Sequence, residues 1–209
     1  MEKMSGPQAG DAKLQPELLL SEKLALASAS PRRAEILRAV GWNFEPLPVN
    51  IPEERGSGED AVSYVERLAR EKAEAATARI ETGLVLGADT VVLAGADVLE
   101  KPHDEADARR MLRRLSGRWH EVLTGVALLR AGENICRVAH ERTKVRFRQL
   151  SEEETNWYVA TGEPMDKAGA YAVQGRAALF IEAIRGDYWN VVGLPIQLVY
   201  KLAREIRQR

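Results

Sequence analysis

The sequence predicts an α/β fold, with helices packed around a mixed, twisted β-sheet. Short apolar runs typical of buried strands recur along the chain, and between them apolar residues return every three or four positions, as on one face of a helix. No internal repeat and no low-complexity stretch breaks this pattern. Helices and strands therefore intermix throughout, which is typical of an α/β domain.

The domain is expected to begin after a polar N-terminal segment. Residues 1–21 contain two prolines and show no clear periodicity, so they are predicted to form a flexible tail. Residues 22–209 are predicted to form a single domain, because a chain of 209 residues can bury one sizeable core.

The first predicted elements are short. The apolar run at residues 24–27 predicts a strand. Ser30 is placed as the N-cap, and Pro31 as the first residue, of a helix that stops at Gly41. Residues 44–49 predict a second strand, and its prolines place it at an edge of the sheet.

The middle of the chain predicts two longer helices on either side of a buried strand. Apolar residues recur at helical spacing from Glu59 onwards. Residues 84–93 predict a buried strand with a central interruption at Gly87. Asp104 is expected to begin the second helix, which directs its apolar residues inward and stops at Gly117.

The C-terminal part predicts further strands and helices. In order, these are a hairpin of strands at 122–130 and 135–147, a helix whose capping box is Ser151 and Glu154, an apolar strand at 178–184, and a helix that begins at Pro195. The order of the strands within the sheet does not follow from these patterns.

Composition and charge argue against several classes of protein. Lys+Arg is 30 and Asp+Glu is 31, which argues against a nucleic-acid binder that works by bulk positive charge. Cys136 is the only cysteine, which excludes an intramolecular disulfide and favours a reducing, cytoplasmic compartment. No apolar run approaches the roughly 18 residues of a membrane helix, and the N-terminus lacks a secretory-signal pattern. No membrane partner and no stable nucleic-acid partner are expected.

Residues 28–33, Ser-Ala-Ser-Pro-Arg-Arg, have the pattern of an anion site. They join the end of a strand to the start of a helix, where free backbone N–H groups and the positive end of the helix dipole gather. Two hydroxyls and two guanidinium groups on one turn suit a polyphosphate, although a capped helix with two solvated arginines is the alternative. The candidate substrate-binding residues here are Ser28, Ser30, Arg32 and Arg33.

Two charged residues occur where apolar residues are expected. Lys72 lies on the apolar stripe of its helix, so it should meet an anion; snorkelling or a structural ion pair is the alternative. Asp89 follows the apolar run 84–88, and an acid there should be hydrogen-bonded, paired or functional. Because ligand sites of open α/β sheets collect at strand ends, Asp89 is a candidate site residue; the alternative is an acid in a strand-end turn.

Two further segments carry candidate ligand groups. Lys101 precedes a proline, which holds it extended and could direct it into a cleft; a solvated lysine is the alternative. Residues 162–175 form a long loop whose glycines allow close backbone approach to a ligand. This loop carries Asp166, Lys167 and Gln174, and the Gln174 amide can both donate and accept, as reading the edge of a base requires. An ordinary surface loop is the alternative.

Several familiar signatures are absent from the sequence. There is no P-loop, no glycine-rich dinucleotide fingerprint and no nucleophile elbow. The histidines, His103, His120 and His140, show no zinc spacing. A metal ion is therefore expected to be Mg²⁺ or Mn²⁺, held by carboxylates and substrate phosphates.

Taken together, these segments resemble the Maf family of nucleoside triphosphate pyrophosphatases over about residues 24–202. Each motif is short, but the whole set occurs in the order of the family. The motifs are residues 28–33 (SASPRR), Glu53, 70–73 (REKA), 87–90 (GADT), 100–102 (EKP), 115–117 (LSG), 166–171 (DKAGAY), 174–175 (QG) and 190–195 (NVVGLP).

The resemblance implies an elongated, twisted sheet flanked by helices, of the Maf/inosine triphosphatase type, with a central cleft between two lobes. It implies hydrolysis of a nucleoside triphosphate to the monophosphate and pyrophosphate, with a divalent metal cation, Mg²⁺ or Mn²⁺, as cofactor. A homodimer is the implied assembly. The closest resemblance is to the branch that acts on thymidine and uridine triphosphates, and housekeeping of the nucleotide pool is the implied role.

The resemblance also implies roles for particular residues. By position, Asp89 matches the proton acceptor of the family. The residues that match polar groups around the phosphates and the metal are Glu53, Lys72 and Lys101. The implied metal ligands are Glu53 and Asp89. Three positions tied to base choice match Arg32, Thr90 and Gln174; there the chain resembles the thymidine/uridine branch and differs from the branch that acts on 7-methyl-GTP.

Three other functions stay open at this stage. A nucleotide-responsive regulator of cell division and septum formation would bind nucleotide tightly and turn it over slowly. A 7-methyl-GTP pyrophosphatase would differ in its substrate only. An RNA-binding module is disfavoured by the near-zero net charge and by the lack of interleaved aromatic and basic residues.

Overall fold

The structure, a computed structural model, describes residues 21–208. The predicted tail lies outside these residues, apart from Ser21. The strands are β1 Leu24–Leu26, β2 Phe44–Pro46, β3 Leu84–Ala94, β4 Asp97–Leu99, β5 Trp119–Arg130, β6 Ile135–Phe147 and β7 Ile181–Arg185. The α-helices are α1 Pro31–Ala39, α2 Ala61–Thr77, α3 Glu105–Leu115, α4 Glu152–Ala160, α5 Tyr188–Val192 and α6 Ile196–Arg207. Short 3₁₀ turns cover Glu163–Asp166, Ala168–Ala170 and Arg176–Phe180.

The strands form one seven-stranded mixed sheet, which confirms the predicted fold class. Its order is β2-β1-β3-β5-β6-β7, with β4 beside β3. β1 is parallel to both β2 and β3, and the remaining pairs are antiparallel. The predicted hairpin of β5 and β6 is present, and β2 lies at an edge of the sheet, as its prolines indicate.

Helix α2 packs closely on one face of β3 and β5, and two glycines make this possible. A Cβ atom at Gly87 would lie 2.0 Å from the carbonyl oxygen of Ala69, and one at Gly125 would lie 2.2 Å from that of Val65. The predicted interruption at Gly87 is therefore wrong. β3 runs without a break, and the glycine serves to let the helix backbone approach the strand.

On the opposite face of the sheet, the apolar core forms two separate clusters. One joins β1, α1 and α6 to residues such as Ala88 and Val126, and the other joins α3 and α4 to residues such as Val92 and Val122. Because alternate residues of a strand share a face, Thr90 on β3 and its partner Thr124 on β5 lie between the two clusters. The division of the core places polar side chains at this boundary.

Three other predictions on local structure differ from what is observed. β2 stops at Pro46 because its partner β1 ends at Leu26: the last contact between them is Leu47 N to Leu26 O at 2.9 Å, and beyond it the β1 chain turns back as Ser28 N donates to Leu26 O. The strand predicted at 178–184 is only Ile181–Arg185, because the preceding residues form a 3₁₀ turn in which Ala178 N donates to the Gly175 carbonyl. Ser30 is the N-cap residue of α1 as predicted, but its hydroxyl makes no capping hydrogen bond.

The predictions for α3 and α4 are confirmed. The apolar residues of α3 are buried as expected, and both hydrogen bonds of the capping box between Ser151 and Glu154 are present at the start of α4. Across residues 21–208, the structure contains no helix with both the length and the apolar character needed to cross a bilayer.

Candidate active site

A cleft of about 660 Å³ opens where β1 stops and β3 continues. β1 ends at Leu26, which pairs with Leu86, whereas β3 runs on to Ala94. The later residues of β3 therefore have no neighbour from β1. Every predicted site residue lines this cleft; these are Ser28, Ser30, Arg32, Arg33, Glu53, Lys72, Asp89, Thr90, Lys101, Asp166, Lys167 and Gln174.

Asp89 lies in the middle of β3 and not in a strand-end turn. The strand end beside it is that of β1, which stops three residues short of the Asp89 register. Asp89 and Thr90 extend to opposite faces of the sheet, since successive side chains of a strand alternate. Asp89 therefore meets α2, and Thr90 meets α1.

Lys72 joins two carboxylates at the bottom of the cleft. Its Nζ lies 2.6 Å from Glu53 Oε1 and 2.7 Å from Asp89 Oδ1. Lys72 and Asp89 are both buried, at 8% and 7% exposure, whereas the Glu53 side chain is half-exposed. The buried stripe of α2 thus brings Lys72 to anionic partners, and these partners are protein carboxylates, which corresponds to the ion pair that the sequence left as the alternative.

The charges around Glu53 favour its ionised form. Partial burial acts to raise the pKa of this carboxyl, but the hydrogen bond and charge of Lys72, with smaller effects of Lys101 and Arg33, outweigh it. The pKa of Glu53 therefore lies below its ordinary value. The group is anionic at neutral pH and can hold a cation or orient a water molecule.

The Arg33 guanidinium is directed at the protein itself. Its Nε donates to the Gly193 carbonyl at 2.9 Å, Nη1 donates to Ala88 O at 2.8 Å and to Ser28 Oγ at 3.0 Å, and Nη2 donates to Thr90 Oγ1 at 3.1 Å. Burial lowers the pKa of this guanidinium, and the nearby Asp89 carboxylate opposes the effect. Four of the five N–H donors of an arginine are thereby used. Arg33 thus positions the backbone next to Asp89 and leaves little capacity for a substrate.

Arg32 differs from Arg33 in its hydrogen bonding. Its side chain is half-buried and makes no side-chain hydrogen bond within residues 21–208, and it lowers the pKa of Asp166 through its charge. Lys101, on the far side of the cleft, is exposed and likewise has no ion-pair partner in the described chain. These two cations are available to an anionic ligand.

The loop at 162–175 lines the cleft with three predicted residues. Asp166 and Lys167 form an ion pair with each other. Burial acts to raise the pKa of Asp166, but Lys167 outweighs it, so the pKa lies below its ordinary value. Gln174 is exposed at the cleft and its amide is open to a ligand.

Glu100 is a cleft residue for which the sequence predicts no separate role. Its Oε1 lies 2.7 Å from the hydroxyl of the buried Tyr64, which also lies 3.0 Å from the backbone carbonyl of Glu53. Burial, followed by the Glu100 carboxylate, raises the pKa of Tyr64, so the hydroxyl stays protonated and can donate. Glu100 follows the buried Leu99 and precedes Lys101, and that position was the available signal.

Asn190 is a second residue whose role was not predicted. It is fully buried, and its Nδ2 lies 3.0 Å from Val122 O and 3.1 Å from Thr143 Oγ1. These contacts attach α5 to β5 and β6. The segment that follows carries Gly193, whose carbonyl accepts from Arg33. Asn190 therefore supports the cleft indirectly, by fixing the segment that carries Gly193.

The sequence model of the Maf-like protein family matches residues 23–206 of this chain. The chain belongs to the Maf-like protein family. The resemblance inferred from the motif order is thereby confirmed, and the family match includes all the elements that line the cleft.

Curated relatives of this Maf-like protein share about half of its residues. A protein named dTTP/UTP pyrophosphatase from Koribacter versatilis is 53% identical over 181 residues, which cover 87% of this chain and 93% of the relative. Proteins of the same name from Symbiobacterium thermophilum and Salmonella typhimurium are 55% and 50% identical, with 84% and 86% of this chain and 89% and 90% of the relatives covered. The solved structure of the Staphylococcus aureus Ham1 protein gives a TM-score of 0.49 at 12% identity, covering 88% of this chain and 99% of that one, which is too distant to support a conclusion.

The donor set of this Maf-like protein fits the divalent cation that the family implies. No three His, Cys, Asp or Glu residues in the described part of the chain are grouped to hold a metal ion. Mg²⁺, however, is commonly bound by one or two carboxylates together with substrate phosphates and water. Glu53 and Asp89 each contact Lys72 through one oxygen, and both line the cleft, so two carboxylates are at hand.

Proposed function

We propose that this Maf-like protein hydrolyses dTTP and UTP to the nucleoside monophosphate and pyrophosphate. The observation that carries the proposal is the buried Lys72 between Glu53 and Asp89, at the bottom of a cleft whose walls hold further cations. The name dTTP/UTP pyrophosphatase, borne by relatives that are 50–55% identical, supports the choice of substrate. Removal of unwanted pyrimidine triphosphates, base-modified ones included, is the proposed role in the cell.

The cations of the cleft would position the triphosphate. Arg32 and Lys101 have no ion-pair partner in residues 21–208, and Lys167 has only the adjacent Asp166. Donors held in place before the reaction stabilise the charge that develops on the phosphoryl oxygens without a cost of reorganisation. The triphosphate would therefore lie between the start of α1, Lys101 and the loop at 162–175.

Asp89 would accept the proton of the attacking water. Lys72 and the backbone held by Arg33 fix the position of this carboxylate from two sides. Because Lys72 contacts Oδ1, the remaining lone pairs of the carboxylate are available to a water molecule. Glu53 would orient the same water or share a cation with Asp89.

A bound Mg²⁺ or Mn²⁺ would be held by Glu53 and Asp89 and would neutralise charge on the phosphates. The protein residues contribute the remainder of the chemistry: Lys72 keeps the two carboxylates together, and Arg32 and Lys101 bind phosphate oxygens. This division of roles is typical of sites that cleave phosphoanhydrides.

Base choice would depend on Gln174, Thr90 and Arg32. The edge of thymine or uracil presents an N–H between two carbonyl oxygens, which the carbonyl and the amide of Gln174 can match together. Thr90 Oγ1 accepts from Arg33 and lies 3.0 Å from Thr124 Oγ1, so its orientation is constrained. We further propose that the protein is a homodimer, as the family resemblance implies, and that it acts in the cytoplasm, a reducing compartment that the single cysteine favours.

Product analysis tests the proposal. With Mg²⁺ or Mn²⁺, dTTP and UTP should yield the monophosphate and pyrophosphate. Release of orthophosphate and a diphosphate would contradict the proposed bond cleavage. Tight nucleotide binding without turnover would favour a regulator of cell division, and a preference for 7-methyl-GTP would favour the other branch of the family.

A further inference from the structure

The loop at 162–175, hereafter the reading loop, contains an unusual backbone conformation. Gly169 has φ +69° and the next residue, Ala170, has φ +60°. Ala170 is the one residue other than glycine with a positive φ among residues 21–208. An L-residue in this region is strained, so its surroundings must hold it there.

Several contacts hold these two residues. Gly169 N donates to Glu100 O at 3.0 Å, and Ala170 N donates to Lys167 O at 3.0 Å. A Cβ at Gly169 would lie 2.8 Å from a methyl carbon of Val92, so the backbone presses against β3 at this point. The turn is thus in contact with both the Lys101 segment and the sheet.

The next side chain, Tyr171, anchors the turn from below. Its hydroxyl lies 2.9 Å from His120 Nε2, and both side chains are buried, at 6% and 2% exposure. The two rings and that of Phe147 pack edge to face. Within the described chain, His120 is the one side chain that shares a hydrogen bond with Tyr171.

The position of this pair connects the reading loop to Asp89. His120 is on β5, which pairs with β3. Gly125, five residues after His120 on β5, is the residue that pairs with Asp89. Lys167 precedes the strained turn, and Gln174 follows Tyr171 by three residues. A displacement at Tyr171 would therefore move a phosphate-binding side chain and a base-reading side chain together.

We infer that the buried hydrogen bond between His120 and Tyr171 is a positioning device, which holds the left-handed turn at Gly169–Ala170 and so sets Lys167 and Gln174 relative to Asp89. His120 and Tyr171 act here as positioning residues, through the backbone of the reading loop. The inference rests on the proposed function, because its kinetic effect is measured with pyrimidine triphosphates.

Four proteins test the inference: the wild type, Tyr171→Phe, Ala170→Gly and the double variant. Tyr171→Phe keeps the ring and removes the hydroxyl, so kcat/KM for dTTP should fall about tenfold and the preference for dTTP over CTP should fall with it. Glycine adopts a positive φ without strain. Ala170→Gly should therefore restore most of the lost preference in the double variant and change the wild type little.

Tyr200→Phe is the matched control. Tyr200 lies on α6, away from the cleft, and its hydroxyl makes no hydrogen bond in residues 21–208, so its loss should leave the preference for dTTP at the wild-type value. All variants are compared well below their Tm. An unchanged preference in Tyr171→Phe, or a loss of the same size in the double variant, would overturn the inference.

Hydrogen–deuterium exchange separates this inference from the proposed function. Exchange in residues 162–175 should be faster in Tyr171→Phe and return toward the wild-type rate in the double variant. If the wild type fails to hydrolyse dTTP and UTP, the proposed function fails, but faster exchange confined to the reading loop in Tyr171→Phe still supports the role of the His120–Tyr171 hydrogen bond. Unchanged exchange in that loop would overturn the proposed role of the hydrogen bond even in an active enzyme.

Discussion

The ammonium group of Lys72 lies 2.7 Å from the carboxylate of Asp89, and both side chains are buried. The contact connects α2 to the middle of β3. These two elements already pack closely, because Gly87 has no side chain to keep the helix backbone away from the strand. An ion pair in such a place is sensitive to the loss of either partner, because the remaining charge stays in a poorly solvated position. The chemistry and the stability of the site therefore depend on the same contact.

Replacement of Lys72 by methionine should reduce both activity and stability. The change leaves Glu53 and Asp89 without their common cation, so we expect kcat/KM for dTTP to fall about a hundredfold or more and the free energy of unfolding at pH 7 to fall by about 2 kcal/mol. Steady-state kinetics and denaturant titration measure the two effects. Lys101→Met is the matched control: it should lower activity and leave stability unchanged, because Lys101 is exposed and has no ion-pair partner in residues 21–208. Equal stability of the two variants would show that the buried pair contributes nothing.

Replacement of Asp89 by asparagine should abolish most turnover while the fold persists. The amide keeps the size of the side chain but cannot accept a proton, and loss of a general base typically lowers kcat by about 10² to 10⁴. Lys72 retains Glu53 as a partner in this variant. Asp97→Asn, on β4 and outside the cleft, should keep full activity. Near-normal kcat in purified Asp89→Asn would make Asp89 a structural residue.

Replacement of Gln174 by glutamate should change the ranking of substrates. The change removes the amide donor, so kcat/KM for dTTP and UTP should fall about tenfold more than for GTP or 7-methyl-GTP. A matched change at the exposed Gln197 of α6 should preserve the wild-type ranking. Measurement of kcat/KM for dTTP, UTP, CTP, GTP and 7-methyl-GTP decides the question. The same order of substrates in wild type and Gln174→Glu would reject this residue as a reader of the base.

Acid should destabilise the protein partly through His120. Burial lowers the pKa of this imidazole from 6.5 to about 4. Between these values the unfolded chain binds one more proton than the folded chain, so stability falls as the pH drops from 6.5 to about 4, by about 3 kcal/mol from this residue. Denaturant titrations across this range should give a shallower slope for His120→Gln than for the wild type. His103→Gln, at an exposed position, should keep the wild-type slope; an equal slope in His120→Gln would show that the imidazole does not contribute.

Chelation of divalent cations should stop turnover without unfolding the protein. EDTA removes the charge that the proposed cation supplies to the phosphates, whereas residues 21–208 contain no group of three or more His, Cys, Asp or Glu placed to hold a metal ion. Added Mg²⁺ or Mn²⁺ should restore the rate, and Glu53→Gln should raise the cation concentration needed for half-maximal activity. Full activity in the presence of EDTA would argue for a reaction that needs no metal.

Local patterns predicted most of the helices and the hairpin because those features depend on near neighbours. The capping box of α4 needs only Ser151 and Glu154, three residues apart, and both of its hydrogen bonds are present. The buried stripe of α2 predicted that Lys72 would face the interior, and it does. At Gly87 the same reasoning failed, because a glycine that breaks a strand and a glycine that admits a helix look alike in sequence.

The sequence by itself determined the fold class, the approximate positions of most elements, the family resemblance and a set of site residues that all line the cleft. Only the tertiary structure decided which of these residues contact one another. Arg33 looks like a ligand for phosphate in its motif, but its guanidinium donates to backbone and side-chain oxygens as far as 160 positions along the chain. The hydrogen bonds between Tyr64 and Glu100 and between His120 and Tyr171 likewise join residues that are far apart in the sequence. Periodicity and capping reflect interactions within a few residues, whereas these contacts exist only after the sheet has brought distant segments together.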